Sequence, residues 1–253
     1  MRKILKISWI ILRSFIIFML LSFTTVVIIE HISKDVLVQN FISKGEFQEE
    51  LSTDKIKYYK IPYNGRKTIS YDPLTHDCYP GEKGDILVSP EQTTIAPLLN
   101  EVISFYAGGH AGYCLGEYGD YQVISNNYMT LETTETQTIH KTSLYSKNDW
   151  TTPIYFNSVI GLRVDMTDEE IDEVTSAIMS YYDDPYNKTF FFNTTNAKYC
   201  SDLISEGFKY VNKNLNRDSS TTSIYDLIVS PDTYIFYYHY FDSKGVKYVY
   251  YLG

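Results

Sequence analysis

Two short runs of this sequence carry residues that could form a thiol-nucleophile site. Cys200 stands in Tyr199-Cys200-Ser201-Asp202, ahead of apolar residues at helical spacing, so a helix is predicted to begin at this cysteine. His110 is flanked by glycines and heads the apolar run 111–115, which predicts a strand. The thiolate is the reactive form of cysteine, and both a helix N-terminus and a neighbouring imidazolium stabilise it. The pair therefore predicts a cysteine hydrolase or acyltransferase, with the histidine first along the chain.

A nucleophilic cysteine needs a base in contact with its thiol and often a further group that orients the base. Of the five histidines, only His110 begins an apolar strand. Taken alone, the histidine could also close a glycine-rich turn, and the cysteine could be a small core residue in a helix. Alternation places Cys114 on the His110 face of the strand, where we interpret it as a core or disulfide residue. A bridge from Cys114 to Cys78 would leave Cys200 as the free thiol.

Four stretches of the sequence, taken in order, resemble the permuted papain-like branch of the NlpC superfamily of cysteine hydrolases, the YiiX/YycO-like bacterial proteins. They are Gly84-Asp85-Ile86-Leu87, His110-Ala111-Gly112, Asp184-Pro185-Tyr186-Asn187 and Tyr199-Cys200-Ser201-Asp202-Leu203-Ile204. The resemblance implies a permuted papain-like α+β fold, in which helices pack on a mostly antiparallel sheet. It also implies catalytic roles for His110 and Cys200. The implied substrates belong to the cell envelope: peptide amide bonds of the wall, or acyl esters of lipids.

The sequence departs from this family at the residue expected to orient the histidine. Relatives commonly carry a glutamate after the strand that bears the histidine, whereas this chain has Val123-Ile124-Ser125-Asn126. Either Ser125 or Asn126 could hydrogen-bond to the imidazole, as asparagine does in papain-like sites. A neutral group stabilises imidazolium less than a carboxylate does, which favours a slow or inactive enzyme. The alternative hypothesis is a non-catalytic surface module of the same fold that binds wall or host glycans through its tyrosines.

The N-terminal sequence predicts a membrane anchor. Basic residues precede an uncharged apolar run over residues 14–29, and residues 9–12 extend it to about 20 residues, the length that crosses a bilayer. Arg13 interrupts the run near its cytosolic end and could snorkel to the interface. The positive-inside rule places the N-terminus in the cytosol and the remainder outside the cell. A cleaved signal peptide is the competing interpretation, but no small-x-small site follows the run.

The sequence therefore predicts three parts and a single-pass membrane protein with an extracytoplasmic domain. Residues 1–30 form the cytosolic tip and transmembrane anchor, 31–80 a juxtamembrane stalk with a hairpin, and 81–253 the hydrolase domain. The net charge is −9, and the exported part is more acidic still because the N-terminal segment is basic. Such a surface disfavours nucleic-acid binding. The chain has no Cys-x-x-Cys, His-Glu-x-x-His or glycine-rich phosphate-loop pattern, so we expect neither a metal nor another cofactor.

Secondary structure is predicted from turn signals and apolar periodicity. Asn64-Gly65 predicts a hairpin between residues 57–61 and 67–71, with Pro62 placing the first strand at a sheet edge. A capping box opens a helix at Thr167, and an aromatic hairpin ends the chain. The remaining predicted elements are strands over 84–88, 111–115, 121–124 and 158–164, and helices over 96–106 and after residue 200.

Overall fold

The structure is a computed structural model that describes residues 2–68, 81–90, 105–106, 108–115, 122–125, 140–143, 150, 157–182, 184–187, 197–216 and 221–253. At residues 2–5, 122–125 and 140–143 the description covers the backbone only. The helices with described bounds are Arg2–Ile42 (α1), Asp168–Met179 (α2), Cys200–Lys209 (α3) and Ile224–Val229 (α4). The strands are Glu46–Phe47 (β1), Ile56–Ile61 (β2), Ile86–Ser89 (β3), His110–Cys114 (β4), Gln122–Ser125 (β5), His140–Ser143 (β6), Ser158–Val164 (β7), Thr233–Phe241 (β8) and Lys247–Leu252 (β9).

The described strands form one sheet in the order β1-β2-β9-β8-β7-β3-β4-β5-β6. Every neighbouring pair is antiparallel except β2 and β9, which run parallel. Among the described residues of the domain, helices α2, α3 and α4 pack on this sheet. The predicted α+β class, with helices packed on a mostly antiparallel sheet, is confirmed.

The sheet separates two hydrophobic clusters, because neighbouring residues of a strand point to opposite faces. On the helix face, Ile86 and Ala111 pack with residues of α2, α3 and α4. On the opposite face, Leu87 and Cys114 pack with Trp150 and with aromatic residues of β8 and β9. The helix that begins at Cys200 is therefore held against the β3–β4 part of the sheet, where His110 begins its strand.

The starts of two helices are determined by local hydrogen bonds. The Thr167 side chain accepts a hydrogen bond from the Glu170 N–H, and the Glu170 carboxylate accepts one from the Thr167 N–H, which confirms the predicted capping box. Ser223 and Asp226 make the same reciprocal pair at the start of α4. Each box satisfies backbone donors that a helix N-terminus leaves open, so α2 and α4 begin at defined residues.

The predicted hairpin around Asn64-Gly65 is wrong. β2 pairs on one side with β9, residue by residue from Ile56↔Lys247 to Ile61↔Leu252, and on the other side with β1. No side of β2 remains for residues 67–71, of which 67 and 68 are described and not in a strand. β2 is not the edge strand either, since β1 lies outside it. Long-range pairing prevails because it stacks Tyr59 on Tyr250, with ring centroids 4.6 Å apart.

The C-terminal aromatic hairpin is confirmed as β8 and β9. The carboxylate of Asp242 accepts hydrogen bonds from the backbone N–H groups of Lys244, at 2.8 Å, and Val246, at 2.9 Å. Gly245 occupies the left-handed region with φ +76°, which a glycine adopts without strain. These bonds close the turn and set the register of the two strands.

Helix α1 is longer than the predicted span and reaches the domain. It covers 41 residues, or about 60 Å at 1.5 Å per residue. Its first part is long and apolar enough to cross a membrane. Further along the helix, Val38 and Phe41 are buried in the two hydrophobic clusters. Residues 31–61 thus pack with the domain, whereas a stalk was expected there; the boundaries of the three predicted parts stay predictions.

Several predictions fall partly or wholly on residues outside the described ranges. They concern Cys78, and with it the Cys78–Cys114 bridge, Asn126, and the helix over 96–106 except for residues 105–106. The predicted strands near 84–88, 111–115, 121–124 and 158–164 are confirmed as β3, β4, β5 and β7, each within a few residues.

A buried ion pair joins β3 to β7 on the opposite face. Arg163 donates from Nε to Oδ1 of Asp85 at 2.6 Å and from Nη2 to Oδ2 at 2.7 Å. Its Nη1 donates to the carbonyl oxygens of Lys67 and Thr68. The guanidinium also lies over the Phe236 ring, 4.4 Å from its centroid. Because both charges are buried, each requires the other.

We expect Arg163→Met to lower the free energy of unfolding by about 3–5 kcal/mol, since it leaves the Asp85 carboxylate buried without its cation. Adding Asp85→Asn to that variant should recover part of the loss. As a matched control, Lys209→Met removes an exposed ion pair with Glu206 and should cost at most about 1 kcal/mol. Denaturant unfolding of the full chain in detergent measures all three variants. Equal losses for Arg163→Met and Lys209→Met would contradict the structural role of the pair.

Candidate active site

Cys200 is the first residue of α3, which confirms the prediction that a helix begins at this cysteine. Tyr199 precedes it as N-cap residue with extended backbone angles, φ −99° and ψ 170°. The Cys200 sulfur is buried, and the backbone N–H groups of Ala111 and Ser201 lie near enough to it to lower its pKa. The thiol is therefore placed at the positive end of a helix and against the beginning of β4.

His110 is the first residue of β4, as predicted, and its side chain is half-buried. Its next neighbour is Ala111, the residue whose N–H reaches the Cys200 sulfur. One carbonyl carbon joins the Ala111 nitrogen to the His110 Cα, so that Cα lies within about 6 Å of the sulfur. The structure thus brings the two predicted residues together at the level of the main chain. Ala111 points to the helix face with Cys200, so the neighbouring His110 side chain points to the opposite face, where Trp150 lies. Contact between the imidazole and the sulfur requires the ring to turn around the start of the strand, and it stays a prediction.

The ring of His110 is stacked on Trp150, a residue that the sequence did not single out. The ring centroids are 5.4 Å apart with an interplanar angle of 18°. Trp150 is only 2% exposed and belongs to the cluster on the opposite face. An indole in this position covers one face of the imidazole and restricts its orientation. Trp150 lies 40 positions after His110, and no spacing rule links the two.

The predicted orienting residues are only partly described. Ser125 is the last residue of β5 and pairs with Gly112, which shares a face of β4 with His110. The Ser125 side chain and the whole of Asn126 lie outside the description. On the other neighbour of β4, Ser89 of β3 stands directly opposite His110 and is fully buried. Directly opposed side chains have Cβ atoms about 5 Å apart, so Ser89 is a further candidate that the sequence analysis missed.

Thr222 holds the residues on either side of Cys200. Its backbone N–H donates to the Tyr199 hydroxyl at 2.7 Å, and its carbonyl oxygen accepts a hydrogen bond from the Ser201 hydroxyl at 2.6 Å. Its own hydroxyl accepts a hydrogen bond from Asn216 Nδ2 at 2.9 Å. The first turn of α3 is therefore fixed to the segment that leads into α4.

Burial raises the pKa of the Cys200 thiol above its usual value, and the hydrogen bonds from Ala111 and Ser201 N–H groups lower it in part. The Ser201 hydroxyl also lies beside the sulfur, but its single proton is donated to Thr222. The thiol is consequently protonated at neutral pH in the resting protein. Nucleophilic attack then requires a base that removes its proton.

A buried ion pair lies in the same turn of α3. The Lys198 ammonium is 3.5 Å from Oδ2 of Asp202 and 3.8 Å from a carboxylate oxygen of Glu206. Lys198 also lies over the Tyr181 ring, 5.5 Å from the centroid. Burial raises the pKa of Asp202 to about 6, although the Lys198 charge lowers it in part. Asp202 is two residues from Cys200, so this pair sets the electrostatic environment of the helix start.

Cys114 is a core residue, one of the two alternatives that the sequence leaves open for it. Cys114 is buried on the opposite face, and burial raises its pKa well above the usual value, which disfavours a nucleophilic role. Among the described residues, no three histidine, cysteine, aspartate or glutamate side chains are grouped so as to hold a metal ion.

Comparisons with known proteins find a structural similarity only. No protein-family model matches the sequence. No curated protein matches it either. The structure is similar to that of the metalloprotein yiiX from Escherichia coli O157:H7, with 11% sequence identity and a TM-score of 0.48. The match covers 62% of this chain and 97% of that chain.

The Asp202 carboxyl should make stability depend on pH. Its folded pKa of about 6 lies above the ordinary value of 3.8, so the folded protein holds the proton more tightly. The contribution of Asp202 to the free energy of unfolding is complete below about pH 4. It is lost as the pH rises through 6, by at most about 3 kcal/mol. Asp202→Asn should remove this loss, measured by unfolding at about pH 4 and about pH 7. An unchanged pH dependence in the variant would show that Asp202 does not titrate in this range.

Proposed function

We propose that the protein is a membrane-anchored, extracytoplasmic cysteine hydrolase that cleaves amide or ester bonds of cell-envelope material through Cys200 and His110. One observation carries the proposal: the Cys200 sulfur, at the N-terminus of α3, lies close enough to the backbone N–H of the residue that follows His110 for that N–H to lower the thiol pKa. A helix start and a histidine at one point are what a thiolate nucleophile needs. Burial alone would leave the thiol inert, so the base is essential to the proposal.

The proposed reaction proceeds through an acyl-enzyme. His110 removes the thiol proton, and the Cys200 sulfur forms a bond to the substrate carbonyl carbon. The resulting oxyanion accepts a hydrogen bond from the Cys200 backbone N–H, one of the open donors of the α3 start. As the carbon–nitrogen or carbon–oxygen bond breaks, His110 returns the proton to the leaving amine or alcohol. His110 then takes a proton from water, which attacks the thioester, and the acid and the free thiol are released.

Residues around His110 would set its orientation. The Trp150 ring covers one face of the imidazole, which reduces its access to water and limits its rotation. We propose that Ser125 or Asn126 bonds to the ring nitrogen that does not face sulfur, with buried Ser89 as a further candidate. All three are neutral side chains, so the imidazolium would lack a carboxylate partner and turnover would be slow.

The membrane anchor in this proposal is α1. Its apolar residues before position 22 are exposed to the surroundings of the domain, and basic residues precede them. Exposed apolar side chains of this number are favourable in a bilayer and unfavourable in water. With the N-terminus in the cytosol, the Cys200 site lies outside the cell.

The alternative, a glycan-binding module that uses its tyrosines, receives less support from the described residues. The tyrosines of β2, β8 and β9 stack on one another: Tyr240 on Tyr248 at 4.9 Å and Tyr59 on Tyr250 at 4.6 Å. Ring faces engaged in this way are not available to stack on sugars. The tyrosine-rich strands are explained by cross-strand packing.

A thiol-directed activity probe with an acyl electrophile tests the proposal. We expect Cys200→Ser to abolish labelling and His110→Ala to reduce it by about 100-fold or more, the usual contribution of a general base. Cys114→Ser is the matched control and should label like the wild type, because its thiol is buried in the core. Labelling of Cys200→Ser at the wild-type level would refute the proposed nucleophile.

A further inference from the structure

The part of α1 that leaves the domain is no longer than one membrane crossing. Residues 6–22 are exposed throughout, and the contacts with the domain begin at Phe23. The basic residues Arg2, Lys3 and Lys6 come first, so the stretch that can lie in the hydrocarbon core before Phe23 is residues 7–22. These residues measure about 24 Å, no more than the roughly 30 Å thickness of that core. A span of this length leaves no free helix between the bilayer and the domain.

The first domain segment that α1 meets leads directly to His110. Phe23 stacks on Tyr106, with ring centroids 5.5 Å apart and an interplanar angle of 5°. The next residue, Thr24, is hydrogen-bonded to the Tyr106 hydroxyl at 3.2 Å. His31 donates from Nε2 to the carbonyl oxygen of Phe105 at 2.8 Å. His110 follows Tyr106 by only four residues.

The second segment that α1 meets leads to Cys200. The Ser223 hydroxyl lies 3.3 Å from the Glu30 carboxylate, and His31 packs on Tyr225 with ring centroids 4.1 Å apart. Ser223 directly follows Thr222, which holds both neighbours of Cys200. Both halves of the candidate site therefore rest on α1 residues 23–31, the part that emerges from the bilayer.

The two segments also contact each other next to the site. Gly108 has φ +80°, and a Cβ at this position would lie 2.0 Å from Cγ1 of Ile224. No residue with a side chain fits there without moving α4. The strand that begins at His110 and the helix that follows Thr222 are thus packed as one unit on α1.

The outward side of α1 stays apolar beyond the span. Ile28, Ile29, Ile32 and Val36 are all exposed, and their spacing places them on one side of the helix, with the exposed Asp35 at its margin. This stripe continues the apolar surface of the span. An apolar helix face beside a membrane is stabilised by insertion into the boundary between head groups and acyl chains. Arg13 acts in the same direction, because moving it towards the cytosolic interface draws the domain closer to the outer surface.

From these contacts we infer that the site takes its substrate from the membrane, as the acyl ester of a lipid. The inference rests on the proposed hydrolase function and narrows its substrate class. The Cys200 sulfur attacks the ester carbonyl, the carbon–oxygen bond breaks, and the lipid alcohol leaves with the proton held by His110. Water then releases the fatty acid from the thioester. A site held at head-group level meets such esters directly, whereas wall peptides lie further out.

Trp150 reports the depth of the site because it stacks on His110. In a Trp9→Phe variant it is the remaining tryptophan of the chain. The full-length variant is reconstituted in phosphatidylcholine vesicles that carry a spin label on the lipid head group. We expect the label to quench Trp150 more strongly than it quenches free tryptophan at the same lipid concentration. Equal quenching would place the site away from the membrane and overturn the inference.

The substrate class is tested by a variant in which a flexible linker separates the domain from the apolar part of α1. A ten-residue Gly-Ser linker inserted between Ser22 and Phe23 should lower hydrolysis of a fluorogenic phospholipid acyl ester in vesicles by about tenfold or more, since it removes the held position at the surface. Hydrolysis of soluble p-nitrophenyl acetate should be unchanged. The same linker between Lys244 and Gly245, in the exposed β8–β9 turn, is the matched control and should leave both rates unchanged.

The outcomes separate this inference from the proposed function. If the wild type hydrolyses neither ester faster than Cys200→Ser does, the hydrolase function itself is refuted. Two results would overturn only the lipid substrate, provided that the soluble ester is cleaved in a Cys200-dependent way. One is that the vesicle lipid is not cleaved, and the other is that the linker after Ser22 does not change its cleavage. Cleavage of isolated wall peptide in preference to the lipid ester would overturn it as well.

Discussion

The arrangement of the site depends on Thr222. Three of its polar groups are used: the N–H donates to Tyr199, the carbonyl oxygen accepts a hydrogen bond from Ser201, and the hydroxyl accepts one from Asn216. Tyr199 and Ser201 flank Cys200, so two short hydrogen bonds hold the backbone on both sides of the thiol. The next residue, Ser223, caps α4 and contacts Glu30 of α1. One short segment thereby connects the start of α3 at Cys200 with α4 and α1.

Two opposing effects act on the thiol in this position. Burial disfavours the thiolate, while the backbone N–H groups of Ala111 and Ser201 and the helix start favour it. Burial is the larger effect, so the resting thiol stays protonated and is slow to oxidise. In the proposed reaction, this protected thiol becomes a nucleophile only when His110 takes its proton. Stacking of His110 on Trp150 limits the positions from which the imidazole can do so.

Features encoded by local sequence were predicted correctly. The start of α3 at Cys200, the start of β4 at His110 and the Thr167 capping box each depend on residues within one or two turns. The parallel pairing of β2 with β9 was missed because its partners are nearly 200 residues apart, and the local Asn64-Gly65 turn signal was stronger. Trp150 and Ser89 were missed for a similar reason: each reaches His110 only through the folded sheet. The contacts of α1 with the domain were not predicted, because residues that make them, such as His31, lie in a stretch with the composition of a polar linker.

The central claim is that Cys200 and His110 act as a reacting pair. The most direct measurement is an ultraviolet titration of the Cys200 thiolate, taken as the difference between the full-length protein and its Cys200→Ser variant. The difference removes the absorbance of Cys78 and Cys114. If the imidazolium stabilises the thiolate, His110→Ala should raise the pKa of Cys200 by about one unit or more, equivalent to about 1.4 kcal/mol. An identical Cys200 pKa with and without the histidine would contradict the pair and leave both residues as parts of the fold.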